Sequence, residues 1–349
     1  MSLLLSICIP TYNRISELSE LIDLLLTIER DDFEIVITDN QSTDNTRQVL
    51  LSYTDKRLRY CCNDEAIPAL LNMIHSIYNG KGKYVLYCND RDILYPNEVV
   101  QLMEILEKDD YSFIHSTRHS EYCSQKLDVF NKEYESLINQ HCNRHPSGMV
   151  FNRKLMEEHI DENIFGDYLQ YIYTYDFLML ELFKYEKSAF YHCGYWGTRP
   201  VSYLRDHKAG TGPNLYFLPE NREKTFYGII DFIFGRNRFH LQLHEKQQVA
   251  KALYMHFAVL FCNYKLCLAD VNETAHYGVE RKHISTSEMI KIYKGFFYRS
   301  LERIKQEEDG EKIANYVKKQ KIHLSICVIK SCIKIDILNC IKFLNGSQI

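Results

Sequence analysis

Within the first 117 residues, five short apolar runs alternate with helical stretches, and this alternation constrains the fold more than any other feature of the chain. The runs are 3–9 (LLLSICI), 33–38 (FEIVIT), 58–62 (LRYCC), 83–88 (KYVLYC) and 112–116 (SFIHS). Between them, residues 15–29 place Ile15, Leu18, Leu21, Ile22, Leu25 and Ile28 at helical spacing. Residues 43–52 open on a Ser/Thr/Asp cluster suited to capping a helix, residues 65–79 are helical, and Pro96 suits the first turn of a helix to about Lys108. Strand–helix alternation of this kind predicts an α/β fold with a mainly parallel sheet and helices on both faces. Ligands of such sheets bind beyond the carboxyl ends of the strands. The residues that follow the runs, 10–14, 39–44 and 89–92, are polar and acidic and come from three separate loops.

The pattern then changes. Residues 118–145 are polar and irregular, 145–152 (HPSGMVFN) reads as a turn into a strand, and 153–160 and 168–187 read as helices. A strand is expected at 188–193 and a loop rich in Gly, Pro, Arg and Tyr at 194–219, followed by helices at 220–236, 243–268, 285–308 and 311–319. A length of 349 residues suits one large or two medium domains. The boundary is expected at 219/220, with the first domain divided into 1–117 and 118–219.

Charge is distributed unevenly. The formal net charge is −4, which argues against a dedicated nucleic-acid binder. Yet residues 312–349 carry seven Lys and one Asp, a net of +6, against −10 for the remainder. In the same segment Ile322, Ile326, Ile329, Ile333, Ile337, Ile341 and Leu344 form one helical stripe, with Lys330, Lys334 and Lys342 beside it. A basic, apolar helix suits a contact with an anionic membrane surface, or docking in the fold or in a homo-oligomer interface. The twelve cysteines include no CxxC pair, and Cys8 and Cys88 fall inside apolar runs, so reduced thiols are expected. No basic-then-apolar leader and no uncharged apolar stretch of membrane-spanning length is read, so a cytoplasmic protein is expected, with the inner membrane face as its candidate station.

A negative cluster at strand ends has two chemical uses. Asp39 directly follows a strand, where its carboxylate can accept hydrogen bonds from a nucleotide base or ribose. Asp90 and Asp92 lie two apart in one turn, a spacing that lets two carboxylates reach one divalent cation, which in turn holds phosphates. No GxGxxG, GxxxxGK[ST], GxSxG or HExxH pattern occurs, which removes dinucleotide dehydrogenases, P-loop NTPases, serine hydrolases of the elbow type and zincins.

Three segments, SICIPTYNR (6–14), EIVITDNQSTDNT (34–46) and YVLYCNDRDILYP (84–96), resemble family 2 glycosyltransferases of the GT-A fold, a Rossmann-like nucleotide-diphospho-sugar transferase domain. The resemblance is clear over 3–117 and looser over 118–210. It implies inverting transfer of a single sugar from a nucleotide-diphosphate sugar, expected to be a UDP-sugar, to a glycan or lipid-linked glycan of the bacterial capsule or surface-polysaccharide type. By that resemblance Pro10, Thr11, Tyr12, Asn13, Asp39, Asn40, Ser42 and Asp90 would hold the nucleotide, with Asp44 in the same pocket. Asp90 and Asp92 would hold Mn or Mg, with His207 as a third ligand.

The sequence departs from the family pattern at two places. Where members often read Asp-x-Asp-Asp, this chain reads Asn89-Asp90-Arg91-Asp92. A cation between two metal-binding carboxylates repels a metal, whereas a guanidinium suits a diphosphate bidentately, so Arg91 is a candidate diphosphate contact together with Arg205. Where members place Glu-Asp at the start of a helix, this chain has Tyr175-Asp176. Asp176 is the candidate base that takes the acceptor hydroxyl's proton, with Asp167 as the alternative. Gly148 matches a small-residue turn facing the acceptor, and Gly210 and Gly212 suit a segment that closes over the donor. With Trp196 as the single tryptophan, the Trp-containing motif of processive synthases is absent. The competing readings are a nucleotide-sugar binding protein of the same fold that has lost activity, and a nucleotidyltransferase, which PTYNR disfavours for want of glycine.

Overall fold

The computed structural model describes residues 3–120, 124–140, 145–160, 168–171, 174–199, 215–235 and 239–344. The chain divides into two compact units, 1–170 with 174–199, and 171–173 with 200–349. The units thus meet in the chain at 199/200, about twenty residues before the 219/220 position read from composition.

The first unit is built on a nine-stranded sheet. β1 (Leu5–Thr11), β2 (Phe33–Asp39), β3 (Leu58–Cys62) and β4 (Tyr84–Tyr87) are parallel, in the order β3-β2-β1-β4. β8 (Val150–Asn152) follows in reverse, then β6 (Phe113–Arg118) and β9 (Ser188–Thr198), which run with β1, and β5 (Asp92–Leu94) and β7 (Leu127–Phe130), each antiparallel to β9. Six of the nine strands therefore point the same way. The apolar runs form strands because both faces are covered: every residue of β2 is buried, and Ile7, Ile9, Ile35 and Ile37 pack with Leu18, Leu21, Ile22 and Leu25 of α1 (Ile15–Leu26). α4 (Pro96–Lys108) begins and ends where the sequence places it, with Val99, Leu102, Met103 and Leu106 inward.

Register matters most for function. Thr11 lies opposite Asp39, Asp39 opposite Cys62, and Cys8 opposite Tyr87. β1, β2 and β3 thus end together and β4 stops three residues sooner, so the loops 12–14, 40–44 and 88–91 emerge at one edge. β5, β7 and α5 (Glu133–Gln140) are elements the sequence pattern does not reveal, and β9 runs five residues beyond the strand read at 188–193.

The second unit is helical: α8 (Pro219–Phe234), α9 (Leu243–Phe261), α10 (Asn263–Ala269), α11 (Val271–Tyr277), α12 (Thr286–Ile304), α13 (Gly310–Lys319) and α14 (Lys321–Leu344). Its core is aromatic, with Phe226, Tyr254, Phe257, Phe261 and Phe296 in mutual edge-on or tilted contact. Among the described residues one stretch, Leu243–Ala269, is long and apolar enough to cross a membrane by length and composition, which the sequence reading did not anticipate, but 61% of its most apolar 18-residue window is buried inside the protein. α14 packs on α9 and α12 through Leu324, Val328, Cys332 and Ile335. The described cysteines are free thiols.

Candidate active site

The first two strand-end loops are tied into one surface. Asn13 and Gln41 have positive φ, 53° and 65°, a conformation that a short amide side chain such as asparagine's tolerates by bonding locally. Asn13 Oδ1 accepts from the backbone N–H of Thr43 (2.7 Å) and Asp44 (3.3 Å), while the Asn13 N–H donates to Ser42 Oγ (2.9 Å). Asp39 holds the loop from below: Oδ1 accepts from the Ser42 N–H (2.9 Å) and hydroxyl (2.6 Å), and Oδ2 from the Tyr60 hydroxyl (2.8 Å). A carboxylate offers about four lone-pair sites, so one is left to meet a ligand. Asn40 is bonded through both ends of its amide to the backbone of Ile67, and Asn63 bridges it to Asn72. Tyr12, by contrast, presents an aromatic ring to solvent.

Asp90 and Asp92 serve different neighbours. Asp90 is buried and accepts from Thr11 Oγ1 (3.0 Å) and from the Arg14 guanidinium (3.2 Å). Burial pushes its pKa up and Arg14 opposes that shift. Asp92 Oδ2 accepts from the Asn89 amide (2.8 Å) and the Ser147 hydroxyl, and His145 Nε2 lies 3.3 Å away. Ser147 Oγ in turn accepts the Asn89 N–H (2.9 Å). The two carboxylates expected to share one Mn or Mg ion are thus committed to separate partner sets. Among the described residues no three His, Cys, Asp or Glu side chains gather to hold a metal ion. His207, the expected third ligand, lies outside the described residues, as do Arg205, Asp167, Gly210 and Gly212. In this arrangement Asp90 pairs with Arg14 and Asp92 with Ser147 and Asn89, so a metal ion between the two carboxylates would first need those pairs to open.

Positive charge is nevertheless at hand. Arg14 Nε is buried with no acceptor among the described residues, and Arg91, partly exposed, forms no ion pair among them. Both guanidiniums stand on loops that flank Asp90.

Trp196 of β9 backs the 145–149 turn. The His145 ring stacks on it (centroids 5.0 Å apart, 11° between planes), and the His115 ring meets it edge-on at 5.7 Å. Gly148 has φ 91°, and a Cβ there would fall 2.2 Å from the Trp196 ring, so only glycine lets the 145–149 turn close on it. The Tyr195 hydroxyl donates to the Gly148 carbonyl (2.6 Å). Burial lowers the pKa of His115 from 6.5 to about 4. A histidine kept neutral on folding binds no proton between those values, while the unfolded chain does. Its stabilising effect is therefore complete above about pH 6.5 and is lost as pH falls toward 4. Moving from about pH 7 to about pH 5 should cost the fold about 2 kcal/mol, read as a lower urea midpoint. His115→Phe should flatten that dependence, and an unchanged slope would rule His115 out as its source.

Asp176 lies in the first turn of α7 (Thr174–Leu182), fully buried, beside the buried Tyr175. An acid at that end of a helix is favoured by the dipole. The sequence reading placed Arg14 in an informative strand-end loop without assigning it a role, and it missed Tyr60, Asn63, Ser147 and His145, which carry no signal in the local sequence.

The sequence model described as "Glycosyl transferase family 2" matches residues 6–199, more than half of the chain. A glycosyltransferase of Rickettsia prowazekii is 32% identical over 139 residues, which is 37% of this chain and 43% of that protein. The Escherichia coli enzyme WfgD, a UDP-Glc:alpha-D-GlcNAc-diphosphoundecaprenol beta-1,3-glucosyltransferase, is 26% identical over 112 residues, 32% of this chain and 44% of its own length. The match thus spans less than half the length of these relatives. Among solved structures, residues 1–349 of Staphylococcus aureus TarS in complex with UDP-GlcNAc superpose with a TM-score of 0.55 at 14% identity, covering 98% of this chain and 92% of that one. At that identity the likeness speaks for the fold, GT-A with a helical C-terminal region. From the family match, this chain belongs to glycosyl transferase family 2.

Proposed function

We propose that the protein transfers one sugar, with inversion, from a UDP-sugar to a lipid-linked glycan of the surface-polysaccharide type. The observation that carries this reading is the strand-end arrangement in which Thr11, Asn13, Asp39 and Asn40 form a pre-tied polar cradle and Arg14 and Arg91 flank Asp90. In this reading the cradle holds uridine, Tyr12 lies against the base or ribose, and the two guanidiniums meet the diphosphate, as their planar forks suit phosphate oxygens. Arg14 then exchanges Asp90 for the diphosphate when the donor enters. Asp176 takes the proton from the acceptor hydroxyl as that oxygen attacks the anomeric carbon from the face opposite the departing UDP. UDP leaves as the diphosphate, its added negative charge met by the arginines. The UDP-GlcNAc held by the structural neighbour and the diphosphoundecaprenol-linked acceptor of WfgD support the choice of donor and acceptor classes.

The test is UDP release with UDP-Glc, UDP-GlcNAc and the GDP and dTDP counterparts as donors and a GlcNAc-diphospho-lipid as acceptor. Acceptor-dependent release from a UDP-sugar is expected; release from none, or from GDP-sugars alone, would overturn the reading. Arg14→Gln should weaken UDP binding about tenfold in titration calorimetry, the effect of one charge-assisted hydrogen bond. Unaltered UDP affinity would remove Arg14 from the diphosphate's contacts.

A further inference from the structure

Helix α14 turns a different face inward from the one its strongest apolar stripe suggests. The buried positions are Leu324, Val328, Cys332 and Ile335. Ile322 is 77% exposed, and Ile326, Ile333 and Ile337 are 41%, 49% and 54% exposed. At roughly 100° per residue these four isoleucines and Ile329 share an arc of about 80° along some 22 Å of helix. Lone exposed apolar residues need no explanation, but a continuous row of β-branched residues does.

The charge around this row has one sign. Lys330 and Lys334 are exposed along one flank, and Lys318 and Lys319 are exposed at the end of α13 just before it. The single acid of the helix, Asp336, lies on the other flank, where its carboxylate pairs with the buried Lys265 ammonium at 2.6 Å. Nothing on α14 therefore offsets the lysines. We propose that this Ile row, with its lysine flank, is a docking surface for an anionic lipid bilayer, the helix lying in the plane of the interface with its isoleucines among the acyl chains and its lysines at the headgroups. Charge complementarity selects this occupant over a second copy of the chain. Two antiparallel copies face to face would set Lys330 and Lys334 against like charges, and a parallel pair would lay them on a flank whose acid, Asp336, is already paired with Lys265. The 322-326-329-333 spacing of a coiled-coil seam is also broken at the next position, 336, by the aspartate committed to Lys265. The inference does not depend on the donor chemistry of the first unit.

The test is co-sedimentation of the full chain with vesicles of phosphatidylcholine alone, and with about a third phosphatidylglycerol. Binding to the anionic vesicles is expected, weakening as salt rises, with little to the neutral ones. Ile326→Asp with Ile333→Asp, and separately Lys330→Glu with Lys334→Glu, should each lower binding to anionic vesicles at least about tenfold. These positions are exposed, so an unaltered melting midpoint should accompany the loss. No vesicle binding by the unmodified protein, binding that both variants retain, or a dimer in light scattering that the isoleucine variant splits, would each overturn the proposal.

Discussion

Asp176→Asn is expected to lower turnover by about a thousand-fold or more while leaving UDP affinity within about twofold of the unmodified protein. Asparagine keeps the size of the side chain and can still bond to its neighbours, but it cannot take up a proton. In an inverting transfer the acceptor hydroxyl has to lose its proton as the new bond forms, and a positioned carboxylate supplies that acceptor. Asp176 opens α7 and is fully buried, a setting in which a carboxylate is held in one orientation. If the residue instead serves only the helix dipole, the asparagine variant would melt somewhat lower and turn over normally. Steady-state rates beside a melting curve and a UDP titration separate the two. Turnover within tenfold of the unmodified protein would end the assignment.

The second large effect concerns a residue with no side chain. Gly148→Ala is expected to destabilise the first unit by about 3 kcal/mol, from the positive φ and from overpacking against an indole that has nowhere to go. Trp196 cannot simply rotate aside, because His145 stacks on one part of it and the His115 ring meets it edge-on. The neighbouring Ser147 would move with the turn and release Asp92 and the Asn89 N–H, which it now bonds. The variant should therefore show a lower urea midpoint and also a weaker hold on UDP, although residue 148 has no side chain to offer a ligand and its backbone N–H and carbonyl are already bonded to Tyr87 and Tyr195. A midpoint within about 0.5 kcal/mol of the unmodified protein would mean that the turn tolerates a methyl group.

The comparison of pattern with structure follows the range of the interactions. Strands β1 to β4, helices α1 and α4 and the three strand-end loops were legible because apolar periodicity and a proline at N1 are local signals, and the three motifs carried the family. β5 was hidden because Asp92–Leu94 is three residues long and is a strand only through its pairing with β9 about a hundred residues away. β7 and α5 sit in a polar stretch whose apolar positions are too few to show a period. The partners of the acids were hidden for a related reason. Asp39 reads as a ligand-facing carboxylate, yet its oxygens are first engaged by Ser42 and Tyr60, and Asp92 is engaged by Ser147 and His145 from a loop more than fifty residues on. A DxD spacing states how close two carboxylates are along the chain, not which way each turns. In α14 the sequence offered two apolar faces. Periodicity ranked the isoleucine stripe first, but packing against α9 and α12 selected the other, smaller-volume face.

The Asn13 bridge between the first and second loops has a thermodynamic consequence for recognition. Two segments some thirty residues apart lose their backbone freedom when the chain folds, not when a donor arrives. The ordering entropy of that half of the pocket is therefore absent from the binding equilibrium, and more of the contact energy remains as affinity. If the proposed reading holds, a nucleotide should meet a surface that already has its final shape on the side of its base, so discrimination among bases is set by fit to a fixed template rather than by adjustment of the loop.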